Sequence, residues 1–478
     1  MRAIASAASI LLITVACVAE PSKPDILFVA IDDLNDWVGH LGGNPDVRTP
    51  HLDRLAKRGV SFANAHCAAP ACNPSRAALM SGMRPSKEGV YTNSHDFEIA
   101  LKDALTLTEH FRNNGYRIVA SGKIYHHNKS GQRFWDEYRE RKEMEPPGKP
   151  KGGFNGLNRD HFDWACLDTV AEEDMPDYKM VAWAGEQLAN PPADKPLFLC
   201  VGFVKPHLPW YAPKKYFDMY PKDKITLPKV PDDDLSDIPP IGLKMAAPEG
   251  DHKAVIDSGQ WRDAVQAYLA TITFVDDQVG RLIDAVDGAP RGKGTVIVLW
   301  SDHGWHLGEK HHWRKFTLWE EATRAPFIIA APGISRAGAA CDRPVDFLGI
   351  YPTLCDIAGL PVPGHLQGVS LRPLLADPAA AWDRMALTTH GRGEHGVRSD
   401  RWRYIRYHDG TEELYDHQTD PMEWKNVAAD PAHAELKAKM AAWMPKEEVP
   451  AAPNFAGEGK GKGKGERKGR GKGRGAEE

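Results

Sequence analysis

A cysteine stands at position 72 with proline two residues on and arginine four residues on, in the run Cys72-Asn73-Pro74-Ser75-Arg76. Such a thiol is either a nucleophile or a small buried side chain. Proline suits the first turn of a helix, where the amide hydrogen it lacks would have no partner. A nucleophile at a helix start meets unpaired amide donors and the positive end of the helix dipole, both of which favour anionic intermediates. Other polar clusters carry complementary chemistry. Asp32-Asp33 is a pair of carboxylates that are costly to ionise side by side unless a cation neutralises them, although alone the pair also reads as a turn or cap. With Asp302-His303 it forms a mainly hard-oxygen donor set suited to Ca²⁺ or Mg²⁺. In Gly122-Lys123-Ile124-Tyr125-His126, Lys123 offers three donors to an anionic oxygen, and His126 can trade protons near neutral pH. Prolines on both sides of His207, in Lys205-Pro206-His207-Leu208-Pro209, stiffen the loop that carries it.

These clusters follow apolar runs. Asp25 to Ile31 ends in Asp32-Asp33, Arg117 to Ala120 leads to Lys123, Leu197 to Val204 to His207, and Thr295 to Trp300 to Asp302-His303. A fifth run, Pro326 to Ala330, ends in Ala331-Pro332-Gly333. Continuous apolar strands imply burial on both faces, as in an α/β sheet between helical layers, and ligands of open α/β sheets bind outside the carboxyl ends of the strands. Apolar residues at helical spacing from Arg262 to Val286 predict a packing helix. The stretch from about Glu143 to Pro240 is proline-rich and irregular, as in pocket walls or surface loops. After about Asp377 the pattern changes to a hairpin, Arg401 to Tyr407 and Glu412 to Tyr415, closed by a helix near Ala434 to Trp443.

The run from Cys72 to Gly82 (CNPSRAALMSG) closely resembles the signature of type I, formylglycine-dependent sulfatases, with Asn73, Met80 and Ser81 as mild departures. The resemblance continues in family order through Asp32-Asp33, the Lys123 segment, His207 and the run Asp302 to Lys315 (DHGWHLGEKHHWRK), and is nearest to iduronate-2-sulfatase-like members. His303, where many sulfatases have asparagine, resembles that branch. The resemblance implies an alkaline-phosphatase-like α/β fold, a large mixed sheet sandwiched by helices, with a smaller C-terminal antiparallel-sheet subdomain. It implies that a maturation enzyme oxidises Cys72 to formylglycine. The hydrate then offers one hydroxyl to attack sulfur and a second to expel sulfate. It further implies that Asp32, Asp33, Asp302, His303 and the modified residue 72 hold Ca²⁺, with Mg²⁺ the alternative. Arg76 would stabilise the hydrate, Lys123 and Lys315 would bind the sulfate, His126 would assist turnover, and His207 would protonate the leaving oxygen. The substrate implied is a sulfated saccharide, of which a uronic-acid-type sugar is one candidate. Trp210, Trp305, His306, Arg392 and His395 are candidate pocket residues by position alone. The competing readings are a phosphoryl or phosphonate monoester hydrolase of the same superfamily and a catalytically silent polyanion-binding surface protein.

A chain of 478 residues can bury one large core and a smaller unit. The expected organisation is a signal peptide over 1–19, a catalytic domain over 23–376, a smaller subdomain over 377–448 and a tail over 456–478. The first segment has a basic start, Met1-Arg2, a largely apolar run to Val15 and small residues at Ala16 and Ala19, which points to export to a periplasmic or extracellular location. Thr14-Val15-Ala16-Cys17 loosely resembles a lipoprotein processing site, so a lipid anchor is an alternative. Past this segment no run is long and apolar enough to cross a bilayer. The net charge of -5 is uneven: Lys460 to Arg474 holds eight basic residues, and removing the tail leaves 52 basic against 61 acidic groups. Such a Gly-rich basic stretch cannot build a core and reads either as a polyanion contact or as a solubilising extension. Seven cysteines show no metal-finger spacing; one disulfide is open to them, with no pairing assigned.

Overall fold

The computed structural model describes residues 23–127, 133–159 and 161–456. The expected signal segment and the basic part of the tail lie outside the described residues. Eight strands form the central sheet: β1 (Ile26–Asp32), β2 (Val60–Phe62), β3 (Arg117–Gly122), β4 (Glu137–Arg139), β5 (Leu197–Pro206), β6 (Val296–Ser301), β7 (Phe327–Ala330) and β8 (Ala339–Cys341). Their spatial order is β8-β2-β7-β6-β1-β5-β3-β4. All run in one direction except β7, which is antiparallel to β6 and β2. The carboxyl ends of β1, β3, β5 and β6 therefore share one edge, whereas the reversed β7 delivers its own carboxyl end to the opposite edge. That geometry accounts for the one apolar run that ends without ionisable groups.

Period-two alternation along β1 divides the core. Leu27, Val29 and Ile31 pack with α3 (Pro176–Ala189) and α4 (Trp261–Gly288) on one face. Ile26, Phe28 and Ala30 pack with α1 (Cys72–Ser81), α2 (Leu107–Asn113) and α5 (Ile350–Ile357) on the other. Strands β1, β3, β5, β6 and β7 thus bury both faces, which is why their runs read as continuously apolar. Register slips at the end of β1, where Ile31 faces Phe203 but Asp32 faces Pro206, so the acid pair leaves the ladder at an irregularity.

The smaller sheet is an antiparallel meander of β9 (Ala386–Thr389), β10 (His395–Arg398), β11 (Trp402–Arg406) and β12 (Glu412–Asp416). Leu387, Val397, Tyr404 and Leu414 pack with Met440 of the helix Ala434–Ala441. Ile405 and Tyr415 face Trp319 and Ile238 of the larger unit. A buried carboxylate, Glu413, joins the two by accepting from Trp319 Nε1 at 2.7 Å and Tyr407 Oη at 2.6 Å. The hairpin read from sequence is the second half of this sheet; β9 and β10 carried no comparable signal. Residues 449–455 then return as a strap. Val449 N donates to Ser86 O, Ala452 N to Gly89 O and Phe455 N to Ser94 O, each at 2.9 Å. The six cysteines among the described residues are all free thiols. No helix among the described residues is long and apolar enough to cross a membrane.

Candidate active site

Four strand ends and one helix start converge. Cys72 opens α1 itself, two residues ahead of Pro74, and the helix is closed by Gly82, whose φ is 71°. Asn73 fixes the entry: its side-chain Nδ2 donates to His95 O at 2.7 Å and Thr92 O at 3.1 Å, while its backbone N donates to Asn93 Oδ1. The Cys72 Sγ lies 3.3 Å from His303 Nε2 and 3.9 Å from Asp33 Oδ1. Arg76, one turn on, spreads its guanidinium across three segments. Nε donates to Asp302 Oδ2 at 2.9 Å, Nη2 to Asp32 Oδ1 at 3.1 Å, and Nη1 to the carbonyls of Lys123 and Ile124. Lys123 Nζ reaches Asp32 Oδ2 at 2.7 Å, and Lys315 Nζ sits 3.2 Å from both carboxylate oxygens of Asp33. His207 Nε2 is 3.8 Å from Asp33 Oδ2, and His207 Nδ1 is 2.6 Å from Leu208 O.

Burial sets the protonation states. Desolvation opposes ionisation of Asp32, but Lys123, His207 and Arg76 outweigh it and hold this carboxyl well below its usual range. Desolvation pushes Asp33 up to about 8; Lys315 pulls it down, while Asp32 and Asp302 push it further up. His303 is lowered to about 4, chiefly by burial, and its Nδ1 lies 2.9 Å from Gly304 O, which leaves Nε2 as a lone-pair donor facing Asp33 at 3.4 Å. Burial also raises the Cys72 thiol well above its ordinary range, against the pull of Lys123 and Lys315, so a bare thiolate is not favoured here.

Ligand atoms of Asp33, Cys72, Asp302 and His303 lie within 4.8 Å of one another, as do those of Asp32, Asp33, Cys72 and His207. This donor set fits a hard divalent cation: carboxylates and a neutral imidazole nitrogen converge, and a cation would relieve the crowding of negative charge that raises Asp33. The two lysines and Arg76 bring positive charge to the same edge, so the arrangement can also hold a tetrahedral anion beside residue 72.

The remaining expectations fare unevenly. His126 stays at the rim, half-buried, with its ring 4.8 Å from that of His127; its Nδ1 makes no hydrogen bond among the described residues. Burial, with Lys123 nearby, lowers its pKa well below the usual value. Trp210, Trp305 and His306 are not pocket-lining groups: all three are fully buried. Trp210 packs on Trp164, Tyr268 and Trp305; Trp305 lies under Lys315 Nζ at 4.9 Å; His306 Nε2 meets Thr317 Oγ1 at 2.9 Å. Aromatic side chains next to motifs here serve as the floor beneath the charged groups. His395 is buried against Glu448 and Thr389, and Arg392 lies on an exposed loop beside Glu448. A cavity of about 1020 Å³ lies elsewhere, between the Asp36–Pro45, Glu320–Arg324 and Asp400–Trp424 segments, and none of the strand-end groups line it. Sequence reasoning missed Tyr268 and Ser301, which bind the backbone around Asp33, and Asn35, whose side chain donates to Trp305 O; Tyr268 sits within an apolar helical stripe, where nothing but its hydroxyl sets it apart.

A mixed α/β sheet that brings acids, lysines and a helix-start cysteine to one edge is suited to the hydrolysis of anionic esters. The family model described as Sulfatase matches residues 24–360, and that described as N-sulphoglucosamine sulphohydrolase, C-terminal, matches 308–449. A protein named Sulfatase from Formosa agariphila is 41% identical over 433 residues, covering 86% of this chain and 84% of that one. A Delta 4,5-hexuronate-2-O-sulfatase from Bacteroides thetaiotaomicron is 31% identical with 87% of each chain covered, and human Iduronate 2-sulfatase is 29% identical with 71% and 70% covered. Among solved structures, a 2-O GAG sulfatase superposes with a TM-score of 0.68 at 27% identity, over 88% of this chain and 91% of that one. A phosphonate monoester hydrolase from Silicibacter pomeroyi shares the fold with a TM-score of 0.74 at 24% identity, over 88% and 94%. The chain belongs to the sulfatase family, and it is a sulfuric ester hydrolase.

Proposed function

We propose that the chain releases sulfate from a sulfated saccharide, with a sulfated uronic acid as the favoured substrate class, at the site built around residue 72. The observation that carries this reading is the position of Cys72, at the start of α1 within 4 Å of both Asp33 and His303. Relatives named for iduronate and Δ4,5-hexuronate 2-O-sulfate support the choice of sugar. Formylglycine derived from Cys72 supplies the attacking hydroxyl through its hydrate, and a divalent cation, Ca²⁺ or alternatively Mg²⁺, supplies charge for the sulfate oxygens.

The chain's own residues do the rest. Asp32, Asp33, Asp302 and His303, with the modified residue 72, would hold the cation. Lys123 and Lys315 face the non-bridging oxygens, whose charge persists through the reaction. Arg76 braces Asp32 and Asp302 and orients residue 72. His207 meets the bridging oxygen, where charge develops as the ester breaks; its Nδ1 is engaged with Leu208 O, so Nε2 is the atom that must carry the proton. His126, beside Lys123, would move a proton during turnover. With Cys72 fully buried, a maturation enzyme would reach it in the unfolded chain.

The proposed domain limits are 23–376 and 377–448, and the proposed destination of the chain is outside the cytoplasm. The basic tail is proposed to contact sulfated polymer near the site. Support comes from the strap, which ends with Phe455 packed 4.1 Å from the ring of His127, next to His126. A panel of saccharides of defined sulfation, with a phosphonate monoester included, tests the reading by product analysis. Sulfate release from 2-O-sulfated uronides is expected; turnover of the phosphonate alone would overturn it.

A further inference from the structure

Asp33 has φ of 60°, in the left-handed region that residues with a side chain seldom adopt. Contacts from distant elements hold it there. The hydroxyl of Tyr268, on α4, donates to Asp33 O at 2.7 Å and accepts from Asn35 N at 3.0 Å. The Tyr268 ring is itself fixed between Trp37, at 5.8 Å, and Trp210, at 5.2 Å. One residue further, Leu34 N donates to Ser301 Oγ at 3.0 Å, and Ser301 Oγ donates to His303 O at 3.0 Å. Asp33 N donates to Asp302 Oδ1 at 3.1 Å, and Asn35 Nδ2 to Trp305 O at 3.1 Å. Every amide from Asp33 to Asn35 is thus satisfied by another segment. Two hydroxyls do what no apolar side chain can, each donating once and accepting once within a buried turn.

We propose that Tyr268 and Ser301 form a hydroxyl clamp that positions the turn of Asp33, and thereby the affinity of the cation site, without touching substrate or cation. The clamp rests on the reading of Asp33 as a cation ligand. Tyr268 ties the turn to the helical layer; Ser301 ties it to the loop that carries His303. Released from them, Asp33 relaxes toward an ordinary backbone conformation, and its carboxylate no longer meets His303 Nε2 at 3.4 Å. Partners that orient ligands in this way govern affinity by about 10–100-fold when lost.

The test is calorimetric titration of Ca²⁺ into chelator-treated wild type, Tyr268→Phe and Ser301→Ala. Tyr268→Phe keeps the aromatic packing and removes only the hydroxyl. Each folded variant is expected to bind Ca²⁺ at least about 10-fold more weakly, to lose activity at limiting Ca²⁺, and to recover it with unchanged KM at saturating Ca²⁺. A role confined to packing would not produce that rescue. Affinity within twofold of wild type in either folded variant overturns the clamp; should Tyr268→Phe fail to fold, Ser301→Ala decides. Failure of wild type to bind any divalent cation would instead overturn the cation site itself, and the clamp with it.

Discussion

Replacing Arg76 by methionine keeps most of the side-chain volume and removes one charge from the centre of the site. Arg76 is fully buried, and its guanidinium serves two carboxylates and two carbonyls, 5.6 Å from the Trp300 ring. Breaking a buried ion pair by deleting one partner costs about 3–5 kcal/mol. Each carbonyl left without a donor adds about 1–3 kcal/mol, less whatever water recovers. Asp32 keeps Lys123 at 2.7 Å, so the larger share of the loss falls on Asp302. A net destabilisation of about 5 kcal/mol is expected in chelator. A cation bound beside Asp302 supplies positive charge in place of the guanidinium, so the deficit should shrink when Ca²⁺ is added. Beyond that differential effect, ordinary mass-action stabilisation of about 2.7 kcal/mol at 100 times Kd applies to both proteins. Denaturant unfolding of wild type and Arg76→Met, each with chelator and with Ca²⁺, measures both quantities. A variant as stable as wild type in chelator, or a deficit that Ca²⁺ leaves unchanged, refutes the charge-balance argument.

Other outcomes follow from the same geometry. His207→Ala should slow alkyl sulfate esters by roughly 10²–10⁴-fold and activated aryl sulfates far less; equal losses on both would remove the acid role from His207. Chelation should abolish sulfate release, with recovery on adding Ca²⁺ or Mg²⁺ and no recovery in Asp33→Ala; activity untouched by exhaustive chelation would exclude a required cation. Truncation after Ala456 should raise KM for polymeric sulfated substrate at low salt while leaving a small aryl sulfate unaffected, and the difference should vanish as salt screens the eight basic residues; identical KM values for truncated and full chains would make the tail a solubilising extension.

The strand-end acids and lysine were legible because each follows a run of apolar residues buried on both faces, and a parallel sheet sends such ends to a single edge. Asp32, Lys123, His207 and Asp302 were each legible as the polar end of such a run. Strand direction was not legible: Phe327–Ala330 looks like the others in composition, and the tertiary pairing with β6 and β2 reverses it. The short strands Val60–Phe62 and Ala339–Cys341 leave too few residues for a period to show. Within the site, motif residues announced themselves by unusual type and spacing. The groups that hold them did not, because Tyr268 keeps the helical apolar rhythm and Ser301 reads as the polite end of a strand. Proximity to a motif misled in the opposite direction, as Trp210, Trp305 and His306 proved to be packing groups, buried under the charges rather than open to a substrate.

The most direct test of the central claim is the mass of the peptide containing Cys72, isolated from enzyme whose sulfate release has been measured on the same sample. An aldehyde at position 72, in proportion to specific activity across preparations, is the predicted result. Fully active enzyme with an unmodified thiol at that position would contradict it.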